Sequence, residues 1–238
     1  MKKMKTIFAL LLAACMLICC ISPVFALSPD SEKVYDGIDV SVYQGKIDFE
    51  EVKRSGIKIV YIRAGYAVGA EDEFFRQNAQ EAKQAGLHFG FYFYVTARTP
   101  YEAELQGRYF ASLISGTGYD CRPAMDFEEY SGLSHMEIRE IGLSFIRALE
   151  ERTRHLPMLY SDAYAASLIW GSDFSRYPLW VADYGPIEPD VTGDTWKAWA
   201  GFQYSDSGRI SGIRDLVDLD KFTRAVFLTE DEKEEICR

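Results

Sequence analysis

Apolar positions follow two rhythms along the chain: β-rich runs take turns with segments of helical spacing. "VYDGIDVS" predicts a strand, and "DFEEVKRSG" a short helix closed by Gly56. "IKIVYIRAG" is β-rich, and "DEFFRQNAQEAKQAG" is helical and ends at Gly86. "LHFGFYFYVT" alternates aromatic residues, and "TPYEAELQGRYFASLI" sets Pro100 in a first helical turn. "CRPAMDFE" predicts a strand. "SHMEIREIGLSFIRALEER" is the longest helical pattern, with Ser134 as cap and Glu137 three positions on. "LPMLYS" then reads as a strand and "DAYAASLIW" as a short helix. The last third changes character: "YPLWVADY", "AWAGFQYS" and "GIRDLVDLD" are strand-like with no good helix between them. The tail "TEDEKEE" suits a solvated helix or a frayed end.

Eight strands emerge, with helices after the first five only. Repeated β-α units imply a parallel sheet with right-handed connections. Eight such strands suggest an α/β fold closed into a modified (β/α) barrel, five β/α units followed by three strands. Barrels of this kind carry their chemistry at the C-terminal ends of strands. Here the first strand ends at Asp39, the fourth at Asp126 and Glu128, and the last at Asp218 and Asp220. Acids from distant parts of the chain are therefore expected on one rim.

The first 26 of the 238 residues stand apart from this pattern. "MKKMK" is a basic lead, Thr6 to Ile21 is almost wholly apolar, and "SPVFA" offers small residues at Val24 and Ala26. This reads as a secretory leader cut after Ala26, which places the protein outside the cell or in its envelope. An uncleaved anchor helix is the weaker alternative, and a lipoprotein box ending at Cys15 weaker still. Residues 27–238 read as one domain, with no linker, repeat or low-complexity segment.

Loss of the leader removes three lysines and no acids, so 23 basic residues face 36 acidic ones, a net of −13. That balance disfavours nucleic acid and anionic membrane surfaces as partners. Cys121 and Cys237 are the cysteines left, too few for a disulfide framework. His88, His135 and His155 lie apart, without metal-ligand spacing.

The densest chemistry is "PAMDFEEY", with Asp126, Glu128 and Glu129 in four positions. Positions i and i+2 of a strand share a face, so Asp126 and Glu128 point to the barrel mouth and Phe127 to the helices. Glu129 points away. Converging carboxylates can bind a hard cation, hydrolyse a glycoside, or stand separately solvated. In glycoside chemistry the mutual repulsion has a use, because it raises one pKa until that group holds a proton for the leaving oxygen. Tyr66, Tyr92, Tyr94, Tyr160, Trp180, Tyr184, Gln203 and Tyr204 fall at or just after expected strand ends, where a sugar would find aromatic and amide partners. Any one of these aromatics is equally well read as core filling.

In order along the chain, "GIDVSVYQGKIDF", "IRAGY", "DEFFRQNAQEAKQAGLHFGFYFY", "PAMDFE", "PLWVADY", "FQYS" and "VDLDKF" resemble the glycoside hydrolase family 25 lysozymes, N-acetylmuramidases of Chalaropsis type. The resemblance spans Gly37 to Phe222. It implies a flattened α/β barrel and cleavage of the β-1,4 bond between N-acetylmuramic acid and N-acetylglucosamine in bacterial peptidoglycan. It implies no metal or organic cofactor; a monomer acting on peptidoglycan strands is the expected working unit. It places the catalytic acids at Asp39, Asp126, Glu128 and Asp218. Glu128 becomes the general acid, and Asp126 either the nucleophile or the residue that orients the substrate N-acetyl group. Tyr66, Tyr94, Tyr160, Trp180, Tyr184 and Gln203 become candidates for substrate binding. Two positions depart from the common pattern, Val42 and Phe93 standing where many members have histidine, and both bear on the expected shape of the groove. A non-catalytic glycan-binding barrel is the alternative from another class. A chitinase-like barrel is disfavoured by the absence of a D-x-x-D-x-D-x-E run.

Overall fold

The structure is a computed structural model that describes residues 26–236. The leader, apart from Ala26, and Cys237 lie outside the described residues. From Leu27 onward the backbone is tied to the barrel: Leu27 N–H donates to Pro189 O, and Ser28 O accepts from Trp199 N–H.

Eight strands close into one barrel in sequence order. They are β1 (Tyr35–Val40), β2 (Ile59–Tyr66), β3 (His88–Tyr94), β4 (Ala124–Asp126), β5 (Met158–Asp162), β6 (Leu179–Ala182), β7 (Gly201–Gly208) and β8 (Val217–Phe222). Helices follow the first five strands, as the pattern of the sequence implied: α1 (Phe49–Arg54), α2 (Phe75–Ala85), α3 (Pro100–Ile114), α4 (His135–Thr153) and α5 (Ala163–Leu168). The acidic tail forms α6 (Glu230–Ile236). The helix starts carry the expected caps. Thr99 accepts from Glu102 N–H ahead of Pro100, and Ser134 and Glu137 form a reciprocal capping box. Gly86 ends α2 in the left-handed conformation.

One feature of the topology departs from a regular (β/α) barrel. Strands β1 to β7 pair in parallel, but β8 is antiparallel to both β7 and β1. With no helix between β7 and β8 the chain returns directly, and a direct return gives an antiparallel neighbour. The rim at the C-terminal ends of β1 to β7 is thus met by the N-terminal end of β8. Asp218 reaches that rim because it stands second in its strand, not because the strand ends there as the sequence reading assumed.

Strand alternation divides the core into two layers. Val60, Ile62, Phe89, Phe91 and Phe93 face the helices, while Ile59, Tyr61, Ala124, Met158, Trp180 and Phe222 fill the lumen. The lumen is packed with large rings: Trp180 lies 4.8 Å from Tyr61 and 5.4 Å from Phe222, centroid to centroid. Glycine makes room for them. A Cβ at Gly37 would stand 2.5 Å from the Phe222 ring and 3.1 Å from Ile59 O. Phe222 cannot swing aside, since Tyr61 and Trp180 both pack against it. Gly37→Ala is therefore expected to destabilise the fold by about 1–3 kcal/mol through overpacking. A urea titration should show a lower midpoint with an unchanged m-value.

Candidate active site

The acids of β1, β4 and β8 meet in a pocket of about 300 Å³ at this rim, lined by Asp39, Asp126, Glu128 and Asp218 together with Tyr92, Tyr94, Tyr160, Trp180, Tyr184 and Gln203. Asp39 and Asp218 are direct cross-strand partners. Asp126 stands beside Tyr94 on one side and Tyr160 on the other. Glu128 follows the end of β4, and Phe127 between them is fully buried against Tyr130 and Trp170. Glu129 is exposed and lines no part of the pocket.

A hydrogen-bond chain organises the far wall. Tyr160 and Tyr184 hydroxyls both donate to Gln203 Oε1, at 2.9 and 2.7 Å, and Gln203 Nε2 donates to Asp39 Oδ2 at 2.7 Å. Gln203 thereby has its orientation fixed, and Asp39 receives a donor on one oxygen. Trp180 is 1% exposed, so it forms floor more than platform, and its Nε1–H donates to Asp220 Oδ1 at 2.9 Å. Tyr66 lies outside the pocket lining at the end of β2, 47% exposed, with the Arg63 guanidinium 6.0 Å from its ring.

Two buried carboxyl oxygens, Asp126 Oδ1 and Asp220 Oδ2, have no N–H or hydroxyl donor. Each belongs to a carboxyl that contacts a second one: Asp126 meets Glu128, and Asp220 meets Asp39. A buried acceptor without a donor is costly, and a proton placed between the two carboxyls removes the problem. The electrostatics agree. Burial first, and then the neighbouring Glu128, hold Asp126 well above the usual carboxylate range. Burial also raises Glu128, but its open face to solvent and the hydrogen bond from Asp126 limit the rise. Asp39 and Asp220 are pushed well up by burial and by acidic neighbours, Asp218 for the first and Asp39 for the second. Asp218 is raised to about 6 by burial and by Asp206. Burial and mutual repulsion thus push the acids of the cluster toward their protonated forms, Asp126, Asp39 and Asp220 furthest.

Arg63, which the sequence reading passed over, is the cation in the lining. Its Nε donates to Asp72 Oδ2 at 2.8 Å, and its guanidinium lies 5.0 Å from the Tyr43 ring. Asp72 in turn accepts from Val42 N–H at 3.0 Å. Ser41 also lines the pocket, and Asp220 lies just below it. Asp220 had a visible signal in the alternation of "VDLD", since it must share a face with Asp218. The two departures from the common pattern fall outside the lining. Phe93 packs outward on Phe110 and Phe145, and Val42 contributes its backbone. The alternation of β3 gives Tyr92 and Tyr94 to the pocket and Phe93 to the helices, so neither Phe93 nor Val42 bears on the groove through its own side chain in the lining.

The family model for glycosyl hydrolases family 25 matches residues 38–213. The chain belongs to glycosyl hydrolase family 25. It is 34% identical over 193 residues to an autolytic lysozyme of Clostridium acetobutylicum, covering 81% of this chain and 57% of that protein. It is 30% identical over 210 residues to lysozyme M1 of Streptomyces globisporus, covering 82% of this chain and 70% of that one. A solved bacterial lysozyme from Streptomyces coelicolor superposes with a TM-score of 0.71 at 29% identity, covering 81% of this chain and 94% of that chain. The family 25 barrel is thus a glycoside hydrolase fold, and its rim holds the acids.

Clustered acids leave a mark on stability. Burial and the neighbouring Asp206 raise Asp218 to about 6 in the folded protein, above the ordinary aspartate range, so the folded state holds its proton more tightly than the unfolded chain does. Its contribution to stability is present in full below the unfolded pKa and is lost as pH rises through the folded one. Asp218→Asn should accordingly stabilise the protein at pH 8 relative to pH 4, by about 1 kcal/mol once solvent screening is allowed for. Denaturant titrations of both proteins at the two pH values measure this difference.

Proposed function

We propose that this protein is a secreted peptidoglycan hydrolase that cleaves the β-1,4 bond between N-acetylmuramic acid and N-acetylglucosamine. The observation that carries the reading is the meeting of Asp126 and Glu128 with Asp39 and Asp218 in one pocket at the mouth of a family 25 barrel, where burial raises both members of the pair. Family membership and the lysozymes among its relatives supply the substrate class. The basic-then-apolar start of the chain supports export. No helix among the described residues is long and apolar enough to cross a membrane.

In this reading Glu128, the more open of the two acids, faces the glycosidic oxygen. It gives that oxygen its proton while the bond to the anomeric carbon breaks, and the electron pair leaves with the oxygen as an alcohol. Water then adds at the anomeric carbon and returns a proton to Glu128. Asp126, beside it and deeper, steadies positive charge near the anomeric carbon or holds the N-acetyl group. Asp39, held by Gln203, and Asp218 shape the opposite wall. A non-catalytic glycan-binding barrel draws no support from the site, since a binding module gains nothing from buried acids that repel one another.

The test is release of new reducing ends from purified peptidoglycan. Glu128→Gln should lose about 10²–10⁴-fold in rate, the usual worth of general acid catalysis. The loss should shrink on an aryl glycoside whose leaving group departs unprotonated, and the alkaline limb of the rate profile should disappear. Asp126→Asn should show no such rescue. Rescue of Asp126→Asn in place of Glu128→Gln would exchange the two roles, and full activity in both variants would remove catalysis from the cluster.

A further inference from the structure

Beside the acidic pocket, and sharing Gln44 with it as a common wall, lies a second hollow of about 300 Å³ lined by Gln44, Gly45, Lys46, Arg214 and Asp215. Two hydrogen bonds brace it. Gln44 Nε2 donates to Leu216 O at 3.0 Å, and Asp48 N–H donates to Gly212 O at 2.9 Å. The segment after β1 and the one before β8 are thus pinned together at both ends, with Lys46 on one and Arg214 on the other. The approach is close: a Cβ at Gly212 would lie 2.4 Å from Asp48 O, and Gly212 holds a φ of +99° that favours glycine. Gly45 likewise has a φ of +61°.

The charge of this notch opposes that of its surroundings. The neighbouring pocket holds four acids in its lining, and the chain as a whole carries a net charge of −10. Arg63 in that pocket is already committed to Asp72. Among the described residues, Lys46 and Arg214 make no hydrogen bond or ion pair, and the acid in the notch is Asp215. Two uncommitted cations on a braced frame, at the edge of a groove whose floor repels anions, suit a ligand that is polymeric and carries its negative charge away from the reacting sugar.

We propose that this notch is an accessory subsite for an anionic group borne on the bound glycan strand, a carboxylate of its stem peptide or a phosphate of an attached polymer. The proposal rests on the peptidoglycan reading above. Lys46 and Arg214 each donate charge-assisted hydrogen bonds to the anion, the guanidinium in bidentate fashion. The notch does no chemistry. It fixes the register in which the strand lies across Asp126 and Glu128, and so selects strands that carry the anion.

Wild type and the Lys46→Ala/Arg214→Ala double variant are compared on three preparations of glycan strands. One carries stem peptides and attached polymers, one has its phosphate polymers removed by acid, and one has its stems removed as well. Initial rates of reducing-end release and equilibrium binding by co-sedimentation are both measured. The double variant should show KM and Kd raised about fivefold on anion-bearing strands, the scale of exposed ion pairs, with kcat unchanged and no change on bare strands. Wild-type preference should fade near 0.5 M salt, where the screening length is only a few ångströms. Persistence of the effect without phosphate assigns the anion to the stem, and its loss at that step assigns it to the polymer. Equal weakening on bare strands, or no weakening on any, overturns the proposal. The Lys46→Arg/Arg214→Lys variant should retain the preference, which separates charge from packing. If wild type releases no reducing ends from any strand, the hydrolase reading fails, while the binding measurement still decides the notch.

Discussion

The reversal of β8 is the constraint on which the site depends. A strand that enters the barrel from the active rim places its first residues there, and so presents Asp218 opposite Asp39. The same strand carries Asp220 one step deeper, opposite Gly37 and Gln203. A parallel eighth strand would send these side chains toward the other end of the lumen. The reversed strand also closes the barrel: β8 bonds to both β7 and β1, so among the described residues this sheet has no open edge. Closure and the gathering of acids are one event in this fold.

The lumen below the rim explains how the acids are held. Tyr61, Trp180 and Phe222 exclude water from the barrel centre, and Trp180 uses its polar edge to hold Asp220. Burial is the first cause of the raised pKa of every acid in the cluster. The core therefore sets the protonation of the site, and the repulsion among the carboxylates adds to an effect that burial begins. This arrangement destabilises the folded protein at neutral pH. The far end of the barrel offsets part of that cost. There Arg122 and backbone N–H groups of Thr229 and Leu156 hold Glu232 at a pKa of about 2 and dock the C-terminal helix. Its stabilisation is complete above the ordinary glutamate pKa and declines as pH falls toward 2, the opposite sense to Asp218.

The fold was legible because its signals were local. Capped helices and glycine stops gave the five β/α units, and the lack of a helix after the fifth gave the irregular end. The direction of β8 was not written in its residues, since "VDLD" alternates in the same way whichever way it runs. Only the absence of a crossover helix between "FQYS" and "VDLD" carried that information. The acids were legible by their place near strand ends, and Gln203 and the tyrosines by their neighbours. Arg63 was hidden because an arginine inside "IVYIRAGY" breaks an apolar run without naming a partner. That partner, Asp72, lies in the loop before α2, and only the folded chain brings it against the guanidinium.

Phe93 shows why residue-by-residue likeness needs the pleat beside it. A histidine-to-phenylalanine change between two pocket tyrosines reads in sequence as a change in the pocket. Period-two alternation sends that one side chain outward, where it meets Phe110 of α3 and Phe145 of α4. Phenylalanine suits a dry seam between a strand and two helices better than an imidazole, which would need a hydrogen-bond partner there. The substitution therefore acts on the layer that supports β3, and through it on the position of Tyr92 and Tyr94. The same logic applies across the barrel: every second residue of a strand faces the lumen, those nearest the rim line the site, and the residues between them pack against the helices that hold it.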